Sequence, residues 1–125
     1  MGQKIRITCG EVSLTAELND SPTAKAIADA LPIRKPGNRW GEEIYFSIPV
    51  KMDEAEDARA DMEVGELGYW PPGNAFCIFF GKTPVSNGNK PRAASPVNPI
   101  GQVEGDATLF SQCPNGAEVV LEKCN

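Results

Sequence analysis

Few residues in this chain can do covalent chemistry. Its 125 residues include no histidine, which removes Ser-His-Asp and Cys-His relays, His-ligated zinc and a histidine pH switch. The four cysteines, Cys9, Cys77, Cys113 and Cys124, show no CxxC spacing. Without an imidazole, a thiolate nucleophile has no evident activating base. Cys9 and Cys77 sit in apolar runs and read as small buried hydrophobes. Cys113 and Cys124 are near enough in sequence to approach each other, but MGQKIRITCGEV carries no export signal. Reduced thiols in a cytoplasmic protein are therefore expected. Glu42 and Glu43 are adjacent and alternate sides in a strand, an arrangement unsuited to paired general acid and base work.

Binding chemistry is better provided for. Arg39 directly precedes Trp40, placing a cation beside an aromatic ring. Five of the nine aromatic residues fall between residues 67 and 81. Trp40, Tyr45, Tyr69, Trp70 and Phe76 offer ring faces to a ligand groove, and Asn74 offers an amide donor and acceptor. Packing is the competing reading, because large aromatics also dominate small cores.

Charge narrows the partners. The formal net charge is −5, and residues 53–66 hold seven acids against Arg59 alone. Asp53-Glu54-Ala55-Glu56-Asp57 lacks the glycine and spacing of an EF-hand loop, so a solvated acidic face is expected, with no metal and no cofactor. Basic residues gather at Arg34, Lys35 and Arg39, and again at Lys82, Lys90 and Arg92. Such small clusters on an acidic chain argue against nucleic acid, where affinity grows with phosphates neutralised. No apolar run approaches a membrane span.

The elements that must position these residues are mostly strands. One domain over residues 1–125 is expected. Lys4 to Cys9 and Val12 to Leu18 alternate polar and apolar and form a hairpin. Asp20 or Ser21 caps a helix that opens near Pro22, carries Ala24, Ile27, Ala28 and Leu31 on one face, and ends at Pro32. Residues 34–42 read as a loop. From Glu43 to Ile48 the pattern returns, with Ile44, Phe46 and Ile48 inward and Glu43, Tyr45 and Ser47 outward. The acidic stretch reads as a short helix or a loop. A hairpin turns at Pro72-Gly73, and Trp70-Pro71 is a candidate cis peptide. Residues 81–99, rich in proline, read as a loop over the groove, with Lys82, Lys90 and Arg92 available to an anionic ligand. Ile100 to Val103, Ala107 to Phe110 and Ala117 to Leu121 close the chain as strands.

Three runs go further. LNDSPTAKAIADALPI (18–33), WGEEIYFSIP (40–49) and GELGYWPPGNAFCIFFGKTP (65–84) resemble, in order, the small cyclophilin-like proteins of bacteria and archaea. The likeness spans roughly residues 4 to 123. It implies a mainly β fold, a closed antiparallel β-barrel of about eight strands with one or two short capping helices. Related barrels occur in proteins of urea-derivative and oxoproline metabolism, which implies an amide-handling context. The expected function is binding of a small molecule or proline-containing peptide in the aromatic groove, by a monomer or a dimer. Two alternatives stand beside it. One is a peptidyl-prolyl isomerase with Arg39 as its electrostatic group, although the family's isomerase motif does not align here. The other is an interaction subunit of an amide-hydrolysing system.

Overall fold

In a computed structural model, residues 2–124 are described. Alternation makes the first hairpin: Ile5, Ile7 and Cys9 of β1 (Lys4–Cys9) are buried, whereas Lys4 and Arg6 face outward. Gly10, at φ +59°, turns the chain into β2 (Val12–Leu18), which pairs Ile5 with Ala16 and Ile7 with Leu14. The helix α1 (Pro22–Ala30) starts where Ser21 Oγ accepts the Ala24 N–H at 3.2 Å. It buries Ala24 and Ile27 and ends at Leu31, which must be extended before Pro32. Among the described residues the cis peptide is Leu31–Pro32, not Trp70–Pro71. Trp70 is extended and leads into a single 3-10 turn over Pro71–Gly73, and Asn74 reverses the chain in the left-handed region at φ 49°.

The remaining strands are β3 (Ile33–Pro36), β4 (Asn38–Arg39), β5 (Glu43–Ser47), β6 (Arg59–Asp61), β7 (Glu66–Trp70), β8 (Ala75–Phe79), β9 (Arg92–Val103) and β10 (Glu118–Lys123). They form one antiparallel sheet in the order β3-β10-β1-β2-β9-β7-β8-β5-β4, with β6 pairing β9. The fold is mainly β, as expected, but the sheet ends open and is not a closed barrel. Its two edges, β3 and β4, are successive pieces of chain separated only by Gly37. Each pairs with a different neighbour, β10 or β5, and no ladder joins them among the described residues.

Several segments differ from their sequence reading. The 34–42 loop holds β3 and β4, because β10 and β5 supply partners that local sequence does not reveal. Residues 107–112 form a 3-10 helix instead of a strand, started by Asp106 accepting the Thr108 N–H. The acidic stretch is loop and turn, with β6 within it. Arg59 anchors that strand through Glu66 at 2.9 Å. The loop expected over 81–99 stops at Pro91, and β9 runs straight through Pro96 and Pro99. Pro99 falls where the β7 register shifts by one residue, a bulge that tolerates a missing N–H.

Cys9 and Cys113, expected as reduced thiols, are joined in a disulfide with their Cα atoms 6.0 Å apart. They are 104 residues apart in the chain, so only the fold brings them together. Cys77 and Cys124 are free. No helix among the described residues is long and apolar enough to cross a membrane.

Candidate functional site

Two apolar layers lie on opposite faces of β5, β7 and β8. Alternation sends Ile44, Phe46, Leu67, Tyr69, Phe76 and Ile78 to the main core, together with α1, β1 and β10. The opposite face carries Ala75, Cys77 and Phe79, joined by Met62, Ala93 and Val97 and flanked by Tyr45, Ala60 and Trp70. This explains why every residue of β8 is buried. The first half of β9 covers the outer face, whereas its second half joins the sheet between β2 and β7. Gly68 permits that covering. A Cβ there would lie 2.7 Å from Val97 Cγ2, so only a glycine lets β9 settle onto β7.

The covering is incomplete and leaves a cavity of about 240 Å³. Trp40, from the turn before β5, and Tyr45 form one side, with Trp70 from β7 and Cys77 from β8. Ala93, Ala94 and Val97 of β9 form the other side, and Glu43 contributes the only carboxyl. Trp70 is held by its indole N–H, which donates to Ser95 Oγ at 2.7 Å and ties the wall from β7 to β9.

Glu43 is the unusual member. It is only 5% exposed, and its Oε1 has no hydrogen-bond partner among the described residues. Burial pushes its carboxyl up to about 7, against a smaller lowering from the Cys77 thiol hydrogen bond. Burial also pushes the Cys77 thiol well above its ordinary value, and the neighbouring Glu43 charge adds to that rise. A thiol so placed stays neutral and is a poor nucleophile.

The structure brings together three of the seven expected site residues: Trp40, Tyr45 and Trp70. Arg39 belongs elsewhere. Its guanidinium donates to the carbonyls of Ser111 (3.2 Å) and Cys113 (2.8 Å), pairs with Glu42 at 3.0 Å, and lies 5.1 Å over the Phe80 ring. It fastens the 107–113 segment to the end of the sheet. Tyr69 is in the main core, where its hydroxyl bonds the Val50 carbonyl (2.6 Å) and accepts from the Met52 N–H (3.1 Å). Asn74 serves the turn, with its Oδ1 3.0 Å from that same hydroxyl. Phe76 stacks on Phe46 in the main core, ring centroids 5.5 Å apart. Period-two alternation separates these residues: Tyr69 and Phe76 face inward, and Trp70 and Cys77, one step along, face the cavity.

Sequence reasoning missed Glu43, Cys77, Ala93, Ala94 and Val97. The alternation that placed Tyr45 outward also placed Glu43 outward, so the signal for it existed. What local sequence lacks is the second half of the site, because residues 93–97 look like loop until β6 pairs along them and β7 pairs with the continuation of the same strand.

A family model described as Cyclophilin-like matches residues 3–122. Among solved structures, the solution structure of the hypothetical protein AF2241 from Archaeoglobus fulgidus is 40% identical. The match covers 98% of this chain and 95% of that one, with a TM-score of 0.83. A search of curated proteins found no match. With the family model spanning nearly the whole chain and a solved relative of similar length and fold, this chain belongs to the Cyclophilin-like family.

Proposed function

We propose that this protein binds a small, largely apolar molecule in the cavity between β5, β7, β8 and the first half of β9. One observation carries the reading. An apolar chamber walled by Trp40, Tyr45 and Trp70 has one carboxyl in its lining, that of Glu43, whose Oε1 no group of the described residues satisfies. Plain packing argues against such a feature, since an unpartnered buried polar atom costs on the order of 1–3 kcal/mol. Convergence of aromatic walls on one polar group is the usual form of a small-molecule site.

The volume favours a small molecule over an extended peptide. An apolar cavity of about 150 Å³ takes up benzene, so 240 Å³ admits one ring with a short substituent. The isomerase alternative loses its electrostatic group, because Arg39 is committed to three backbone carbonyls and Glu42 and does not line the cavity. A fragment screen followed by NMR is the test. Binders should shift the indole signals of Trp40 and Trp70, and Ala94→Trp, which fills the mouth from an exposed position, should abolish the response. Shifts confined to Arg39, Asn74 or Phe76 would place the site elsewhere and overturn this reading.

A further inference from the structure

Resting on that reading of the cavity, we infer that its ligand is a monocyclic cation, an amine or amidine whose N–H groups pair with Glu43 while its ring lies against Trp40, Tyr45 and Trp70. The wall supplies an acceptor and nothing to neutralise it. None of the lining residues is a lysine or arginine. The nearest cation in sequence, Arg39, is paired with Glu42 and turned to the Ser111 and Cys113 carbonyls. Of the wall's donors, the Trp70 N–H is committed to Ser95, and neither the Trp40 indole nor the Tyr45 phenol bonds Glu43 Oε1. A ligand must therefore bring the missing donor.

Charge selects among donors. A carboxylate enclosed in an apolar chamber is costly unless a cation and hydrogen bonds accompany it. An N–H cation meets both needs in one group, and the surrounding rings attract a cation through their faces. An anion would be repelled, and a neutral amide leaves the charge uncompensated.

Titration gives this a distinctive signature. The groups facing Glu43 are the Cys77 thiol on β8 and the Tyr45 phenol on β5 itself; Trp70 on β7 and Ala93, Ala94 and Val97 on β9 carry no titratable side chain. The thiol is held neutral by burial, so Glu43 is the group whose charge changes in the cavity near neutrality. Cation binding must then expel its proton at mildly acid pH.

The probes are benzamidine, which stays cationic from pH 5.5 to 8.5, its neutral isostere benzamide, and benzoate. Titration calorimetry in buffers of different ionisation enthalpy measures affinity and proton release together. Benzamidine should bind with proton release at pH 6.5, and its affinity should rise roughly 30-fold between pH 5.5 and 8.5. Benzoate should not bind at pH 8.5, where Glu43 is charged. Glu43→Gln should weaken benzamidine about tenfold or more and flatten its pH dependence, leaving benzamide within about threefold. The wild-type pH series and the isostere comparison decide the matter without that variant if it fails to fold. Benzamide binding as tightly as benzamidine, with the Trp70 signal shifting, would overturn the cation inference and leave the ligand site standing. Silence of Trp40 and Trp70 to all three probes, and to the fragment screen, would remove the site itself.

Discussion

Glu43 illustrates how position decides the behaviour of a carboxyl. Its neighbour Glu42 sits half-exposed beside Arg39, whereas Glu43 is enclosed between β8 and β9 with an unpaired oxygen. Because the folded carboxyl keeps its proton to about 7 and an unfolded one near 4.5, the folded state binds more protons between those values. Stability contributed by this group is therefore complete below pH 4.5 and lost as pH rises through 7. The full loss is about 3 kcal/mol at 1.36 kcal/mol per unit. Urea unfolding at pH 4, 6 and 8 should show wild type declining relative to Glu43→Gln. A constant difference between the two proteins across that range would show that Glu43 is not the titrating group. The residue type and its outward direction were legible in the sequence. Its enclosure was not, because the strand that encloses it is fifty residues away.

At the scale of elements, β9 makes the site. Its prolines mark it as loop to any local reading, and Pro96 is indeed exposed while Pro99 sits at a bulge. Non-local pairing overrides that propensity, as it commonly does in sheets. Asn98 then fixes the strand against its surroundings: its Nδ2 donates to Thr23 Oγ1 (3.1 Å) and the Asp53 carbonyl (3.0 Å), and its Oδ1 accepts the Ala55 N–H (2.7 Å). The tight contact of β9 on β7 yields a prediction. Gly68→Ala places a Cβ 2.7 Å from Val97 Cγ2 and 3.3 Å from Phe79 Cε2, and should cost about 1–3 kcal/mol by overpacking. The double variant with Val97→Ala should recover most of that loss in thermal unfolding. Equal, additive losses from the two substitutions would show that the two strands do not meet there.

The whole molecule is a sheet wrapped about one core, with a second, smaller apolar layer outside it. The Cys9–Cys113 bond lies in the main core and ties the 3-10 segment to β1 across a separation of 104 residues. Closing so long a loop restricts the unfolded chain, and its reduction should cost about 2–4 kcal/mol. Chemical unfolding with and without a phosphine reductant measures this. The Trp70 indole signal should stay in place in the reduced folded protein, because the disulfide and the cavity occupy opposite faces of the sheet. A shift of that signal would instead show that the two layers are coupled. No change in stability on full reduction would mean that the bond does not constrain the chain.

By itself the sequence determined the alternating strands β1, β2 and β5, the capped helix α1 and the sheet-rich class, and it named Trp40, Tyr45 and Trp70 among five candidate rings without separating them from Tyr69 and Phe76. Each rests on a local cause: period-two burial, a serine cap with proline in the first turn, or an outward ring on an amphipathic strand. Tertiary structure alone decided that the sheet ends open at β3 and β4, that Cys9 meets Cys113, and that Arg39 holds backbone carbonyls. It also decided that β9 closes over Glu43. These depend on pairings between segments tens of residues apart, whose contact free energy appears only when both partners are in place. A carboxyl that looks solvated in the chain is thereby enclosed in the fold.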